Sequence, residues 1–228
     1  FGITPEPLIQ YAIPDQAVVL AMSFFIMFGT SLLLGNTIEL TSELEDSYDQ
    51  TLLGYVRSLE YRDGTTKEHS DRVVDLTLRI AKTYGFHRES LESIQRGALL
   101  HDIGKIGISD TILLKPGQLT DDERKQMERH PLIAQEMLEG ISFLKDSLDI
   151  PLYHHERWDG SGYPYGLKGE EIPLEARIFA VVDVWDALIS HRPYRSKWSK
   201  EEAKEYIVAE KGKLFDPQIV DRFLTFIE

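Results

Sequence analysis

Cysteine is absent from the 228-residue chain, which removes disulfides, thiolate zinc sites and cysteine nucleophiles together. Any metal must then be held by imidazole and oxygen ligands. Positive charge is scarce, with 25 Lys and Arg against 38 Asp and Glu and a formal net charge of −13. That balance argues against a surface for nucleic acid polymers. It still admits a phosphate substrate where bound cations reverse the local sign. No Lys or Arg occurs before Arg57. A signal peptide would therefore lack its basic leading region, and the positive-inside rule has little to act on. Beyond residue 60 there is no alternating apolar and polar run of strand length, and the chain has no internal repeat or low-complexity tract. It begins at Phe1 rather than Met, so it is expected to be part of something longer.

What is present falls into stretches. Residues 1–16 carry Pro5, Pro7 and Pro14 and read as a lead-in segment. Residues 17–38 then run 22 positions without a charge, around Phe24-Phe25-Ile26-Met27-Phe28. That length suits a transmembrane helix; a buried core helix would normally show polar spacing. In residues 39–60, Leu40, Leu44, Tyr48, Leu52, Tyr55 and Leu59 fall three or four apart, one apolar stripe of a linker or signalling helix. The stripe can pack on its own domain or pair with a second copy as a short coiled coil, which would make a homodimer. Residues 61–228 read as an all-helical domain. Helices are predicted over 72–84, 91–102, 121–130 and 174–190, with another starting at Ser199.

The chemistry concentrates in a few places. His154-His155-Glu156-Arg157-Trp158-Asp159-Gly160-Ser161-Gly162-Tyr163-Pro164 joins two histidines and two carboxylates to a Gly-x-Gly-Tyr-Pro turn. Such groups are costly to bury unless paired or bound to metal; a polar surface loop is the plain alternative. Upstream, His69 precedes a predicted helix, where a single histidine is usually a cap or a surface residue. His101-Asp102 closes an apolar run, and Lys105 shares their side if the turn continues. Otherwise Lys105 is a cation at a helix C-terminus. His130, before Pro131, taken singly reads as exposed. Asp183 stands among apolar neighbours and needs a metal, an arginine or a helix cap as partner. Asp186, one turn on, supports it or faces water. Five of the seven histidines lie in these segments. Imidazole and carboxylate without sulfur suit iron, manganese, zinc, cobalt or nickel, with no ranking among them. Seven ligands exceed what one ion takes while keeping an open position, so two ions sharing a carboxylate is the economical reading.

These motifs resemble the HD-GYP domain of the HD phosphohydrolase superfamily. The likeness runs through His69 with Arg72-Val73, His101-Asp102-x-Gly104-Lys105, the long His154 to Pro164 stretch, Gly166, Gly169, Ile172-Pro173, Asp183, Arg192-Pro193-Tyr194-Arg195 and Phe215-Asp216-Pro217. It implies an all-α helical bundle, here preceded by the linker helix and the transmembrane helix. It implies hydrolysis of cyclic di-GMP to pGpG or GMP through a metal-bridging hydroxide. Two divalent ions, iron or manganese foremost, would then lie on His69, His101, Asp102, His130, His154, His155 and Asp183. Asp102 would bridge them, with His69 and Asp183 completing one shell and His130, His154 and His155 the other. Catalysis would rest on Asp102 and Lys105, and substrate contacts on Lys105, Tyr163, Arg192 and Arg195. Glu156, Asp159 and Asp186 would orient histidines or the turn.

Two departures bear on these expectations. Thr65 stands where some members carry a glutamate for a third metal, so two ions are predicted, and His191 replaces a commoner aspartate. The resemblance further implies a bacterial inner-membrane signalling protein with a cytoplasmic catalytic domain and a sensory N-terminal part outside this sequence. Diguanylate cyclases would be partners through the Gly-Tyr-Pro loop. The rivals are an HD hydrolase of another cyclic nucleotide, such as cyclic GMP-AMP, and a catalytically weak cyclic-dinucleotide receptor. The complete ligand set counts against the receptor.

Overall fold

The computed structural model describes residues 15–64, 66–190 and 197–227, and among them the fold is all-α. The helices are α1 (Gln16–Asp63), α2 (Lys67–Lys82), α3 (Arg88–Leu99), α4 (Asp110–Leu113), α5 (Asp121–Met127), α6 (His130–Leu138), α7 (Asp149–Tyr153), α8 (Leu174–Ile189), α9 (Lys200–Ala209) and α10 (Pro217–Ile227). Short 3-10 turns at Ile103–Gly107, Ser142–Ser147 and Gly169–Glu171 join them. The described residues contain no strand, only an isolated bridge between Lys211 and Phe215.

Contacts divide the chain into two compact units, 1–49 and 50–228. In the first, the described residues are the leading part of α1. Its most apolar 18-residue window has a mean hydropathy of 2.3 and none of it is buried. By length and composition this is one helix able to cross a membrane. Ser23, Thr30, Thr37 and Thr41 turn their hydroxyls back onto carbonyls three or four residues earlier. A hydroxyl satisfied in this way needs no water.

The second unit starts inside α1. Leu52, Val56 and Leu59 are buried there, packing with Leu100, Ile103, Ala134, Leu138 and Leu144 or beside them, whereas Tyr55 is exposed. Of the stripe read from the sequence, Leu40, Leu44 and Tyr48 in the first unit are also exposed. The border drawn at residue 60 from composition therefore lies inside the second unit, because an amphipathic turn of α1 supplies part of its core. Gly64, at φ +76, ends the helix, its N–H reaching the Glu60 carbonyl. That left-handed position disfavours any side chain with a Cβ.

A larger core gathers on α8, where Ile178, Phe179, Val181, Val182, Trp185 and Leu188 are buried over most of the helix circumference. A helix apolar nearly all round belongs in the centre. α2 meets it with the narrower stripe Val73, Ile80 and Ala81, and α9 and α10 add Ile207, Ile219 and Phe223. α9 begins at Ser199, which with Glu202 forms a reciprocal capping box. Thr66 caps α2 through the His69 N–H, fixing the turn from which His69 projects.

α7 starts with a strained carboxylate. Burial, then the charge and hydrogen bonding of Glu175 and the charge of Asp146, push Asp149 up to about 6 from 3.8. Between those values the folded state binds more protons than the unfolded chain, so this group lowers stability as pH rises through the interval. Asp149→Asn is expected to raise the melting temperature by about 2 °C at pH 7.5, after allowance for partial exposure, and to change nothing near pH 4. Scanning calorimetry at both pH values checks it; equal shifts would remove the carboxylate pair as the cause.

Candidate metal centre

Every candidate ligand sits near a helix end or on the central helix. His69 lies in the first turn of α2, and His101 and Asp102 follow the last residue of α3. His130 opens α6, and His154 and His155 follow α7. Asp183 and Asp186 project from α8. Helix termini leave unpaired backbone groups, and the histidines use them. The His101 Nδ1–H donates to the Ala98 carbonyl at 2.8 Å and the His130 Nδ1–H to the Met127 carbonyl at 2.9 Å. The His154 Nδ1–H is shared between the Ile150 and Pro151 carbonyls at 3.0 and 3.1 Å. The His69 Nδ1–H donates to Asp186 Oδ2 at 2.7 Å. A carbonyl or carboxylate only accepts, so Nδ1 holds the proton and Nε2 turns a lone pair inward.

The inward atoms form two groups. Asp102, His130, His154 and His155 make one, and His69, His101 and Asp183 the other, with ligand atoms within 4.8 Å of one another in each. Asp102 stands between them: Oδ1 is 3.6 Å from His130 Nε2 and Oδ2 is 3.2 Å from His101 Nε2. His69 Nε2 lies 3.7 Å from Asp183 Oδ1. His130 Nε2 and His154 Nε2 face each other at 3.4 Å. With both Nδ1 protons turned outward, two lone pairs meet there, an arrangement that a cation relieves. The donors are imidazole and carboxylate only, and they fit divalent transition metals.

The electrostatics agree. Burial, reinforced by neighbouring histidines, lowers His154 well below the ordinary imidazole value and His155 to about 3. Burial also lowers His130. These rings stay neutral, the form that binds metal. His101 differs, because Asp102 more than offsets its burial and its pKa rises. Burial would raise Asp102, but Lys105 and His101 hold it well below the usual carboxylate range.

Around the donors lie the other residues singled out by sequence. Lys105 Nζ donates to Asp102 Oδ2 at 2.6 Å. The Tyr163 ring lies over His155 with centroids 4.7 Å apart. Glu156 is buried and accepts from the Tyr165 and Leu167 N–H groups at 2.8 and 3.0 Å, so its bonds close the Gly-Tyr-Pro loop. Asp159 is exposed and accepts from the Ser161 N–H at 2.9 Å, shaping the same turn. Gly162 packs where a Cβ would meet Glu156 Cα and the His155 carbonyl at 2.5 Å, which brings the loop against the histidine pair. The backbone of Trp158 and Asp159 in turn bonds the Leu214 and Lys213 carbonyls. Arg192, Arg195 and His191 lie outside the described residues, as does Thr65.

Asp186 supports His69, and a residue not assigned from sequence supports Asp186. Arg72 grips both of its oxygens, Nε at 2.5 Å and Nη2 at 2.9 Å. Burial would raise Asp186, but the Arg72 and His69 hydrogen bonds hold it at about 2. Asp186→Asn is expected to weaken metal binding by about 10- to 100-fold while leaving the fold intact. Competition with a chelator measures this; unchanged affinity would reduce Asp186 to an anchor for Arg72.

Residues 42–219 match the HD domain family. A Xanthomonas campestris protein named cyclic di-GMP phosphodiesterase response regulator RpfG is 48% identical over 185 residues, covering 80% of this chain and 49% of its own. A Vibrio cholerae protein named 3′3′-cGAMP-specific phosphodiesterase 2 is 35% identical over 200 residues, covering 87% and 38%. The chain thus spans about half or less of the length of these relatives. Among solved structures, a cyclic GMP-AMP-specific phosphodiesterase of V. cholerae aligns with a TM-score of 0.62 at 20% identity, covering 78% of this chain and 48% of the other. That likeness is one of fold.

Proposed function

The chain belongs to the HD domain family, and from that premise we propose that it is a metal-dependent phosphodiesterase that hydrolyses cyclic di-GMP. One observation carries the reading: two His/Asp donor groups adjoin at Asp102, whose two oxygens face one group each. The relative named for cyclic di-GMP at 48% identity supports the substrate. In this proposal two ions would be held by His69, His101 and Asp183 on one side and by His130, His154 and His155 on the other, with Asp102 available to both. Iron or manganese are the favoured metals. Ions so held would supply Lewis-acid stabilisation of phosphoryl charge and bring the pKa of water down toward neutrality.

The chain's own groups do the rest. Nδ1 hydrogen bonds aim His69, His101, His130 and His154, and burial keeps His130, His154 and His155 neutral. Lys105 offers its ammonium to a phosphoryl oxygen or to the departing ribose oxygen. Tyr163, stacked on His155, presents a ring beside the site for the substrate. Arg192 and Arg195 bind phosphate. Water adds to phosphorus, the phosphorus–oxygen bond to one ribose 3′ oxygen breaks, and that oxygen takes a proton, yielding pGpG; a second round yields GMP.

The proposal extends to the N-terminal part. Residues 17–38 span the bacterial inner membrane, supported by their hydropathy and exposure, with the catalytic unit in the cytoplasm. Residues 39–60 contribute to a homodimer through exposed Leu40, Leu44 and Tyr48. Diguanylate cyclases are the partners proposed for the Gly-Tyr-Pro loop.

The decisive experiment offers cyclic di-GMP and 3′3′-cGAMP to the full chain in detergent, loaded anaerobically with manganese or ferrous iron. Faster turnover of cyclic di-GMP is expected, with pGpG or GMP as product. The relative named for cGAMP gives the alternative its standing: preferential cGAMP turnover would move the substrate there. Two bound metals without turnover of either nucleotide would move the reading to another nucleotide substrate, and neither metal nor turnover would overturn the enzymatic reading in favour of a receptor.

A further inference from the structure

The last turn of α1 delivers two consecutive side chains to the segment that bears Lys105. Arg62 takes its backbone. Nη1 donates to the Lys105 and Ile106 carbonyls at 3.2 and 3.0 Å, Nη2 to the Ile108 carbonyl at 2.6 Å, and Nε to Asp110 Oδ1 at 2.9 Å. These carbonyls lie at the end of the 3-10 turn Ile103–Gly107 and just beyond it, and that of Lys105 also accepts from the Ile108 N–H at 3.0 Å. Asp63 takes the side chain. Its carboxylate is 4% exposed, and Oδ2 accepts from Lys105 Nζ at 3.4 Å. The same ammonium donates to Asp102 at 2.6 Å, so it is held between a candidate metal ligand and a carboxylate that belongs to neither donor group.

Two divalent cations on those groups would repel a nearby ammonium. A lysine side chain is long and pays little to swing into water, and Lys105 is partly open to solvent. Asp102 alone cannot resist that swing if its oxygens are engaged with metal. A second, buried carboxylate beside the same nitrogen supplies the missing attraction, and Arg62 keeps the backbone beneath it from moving.

We propose that Asp63 is a positioning residue, whose carboxylate holds the Lys105 ammonium beside Asp102 so that it meets the substrate's phosphoryl group. The consequence for turnover rests on the phosphodiesterase reading above; the contact itself does not. If Lys105 acts on charge that develops in the transition state, loss of its anchor lowers kcat and leaves KM nearly unchanged.

The test uses the full chain in detergent, labelled with ¹⁵N-lysine, as parent, Asp63→Asn and Asp63→Glu, with Lys105→Arg to assign the signal. In the metal-free parent, Lys105 should give a slowly exchanging ammonium resonance. Asp63→Asn should lose it while keeping its melting temperature and two bound metals, with kcat down about 10- to 100-fold and KM within about threefold. Asp63→Glu should recover the resonance and part of kcat. An unchanged Lys105 resonance in Asp63→Asn would overturn the proposal, as would loss of metal and melting temperature together with no recovery in Asp63→Glu. If no variant or parent hydrolyses cyclic di-GMP, the substrate reading fails, and the resonance still decides whether Asp63 holds the lysine.

Discussion

Asp102→Ala is expected to lower the proposed cyclic di-GMP turnover by at least about 10³-fold and to strip tightly held metal from the chain. The expectation follows from where its oxygens lie. Oδ1 faces His130 and Oδ2 faces His101, so one carboxylate serves both donor groups. Its removal leaves three neutral imidazoles on one side, with no anion from that group to offset an ion's charge. The other group keeps Asp183 as its one anion. Lys105 loses its 2.6 Å partner at the same time, leaving an ammonium beside the two donor groups with only the longer Asp63 contact to hold it. Metal content by elemental analysis, read beside turnover, checks each part. A variant that kept two ions and a tenth of parent activity would show that Asp102 is not shared. Asp102→Asn sharpens the comparison, since it keeps the shape and the oxygen but removes the charge.

The contrast between Asp102 and His130 shows what could be read from the chain before its fold. A His-Asp pair closing an apolar run announces chemistry by residue type, and the doubled histidine before a Gly-rich turn does the same. His130 carries no such mark, since a single histidine after a charged helix reads as exposed. The fold buries it almost completely, because α6 begins where the turn Ile103–Gly107 packs against it. No local pattern reports that. Asp63 was invisible for the same reason: its partner is 42 residues away in the chain and across a helix junction. Arg72 belongs to a motif in the sequence, but only α8 gives it a role, by placing Asp186 beside it. The Leu40–Leu59 stripe shows the complementary limit. Its period predicts a helix correctly, yet period alone does not say which turns meet a domain core, and only Leu52 and Leu59 of the stripe are buried. The all-α class was legible because helix-period stripes and caps recur through the chain, whereas the pairing of Trp158 with Leu214 depends on long-range closure.

Gly104→Ala should have the largest effect of an alanine at any described glycine, because its Cβ would meet the shortest contact. Its position after an apolar helical run invites the reading of a helix stop, but its φ is not left-handed, so conformational freedom is not what it provides. Space is the reason. A Cβ there would fall inside the His130 carbonyl oxygen, 2.7 Å from Ala134 N and 2.8 Å from His130 C. All three are backbone atoms of the first turns of α6, which cannot rotate aside as a side chain would. The turn Ile103–Gly107 and α6 must separate, and His130 moves with α6, away from Asp102 and His154. Overpacking of this kind costs about 3 kcal/mol or more, a fall of about 6–12 °C in melting temperature for a protein of this size. The group built on His130 should lose metal affinity, while His69 and Asp183, carried by α2 and α8, keep theirs. Gly140 is the control: no atom lies within 4 Å of a Cβ there and its φ is not left-handed, so alanine should change stability by no more than about 0.5 kcal/mol. Thermal melts and metal stoichiometry of the two variants separate the outcomes. If Gly104→Ala melts with the parent and binds two ions, α6 is free to shift, and the close approach at Gly104 does not position His130.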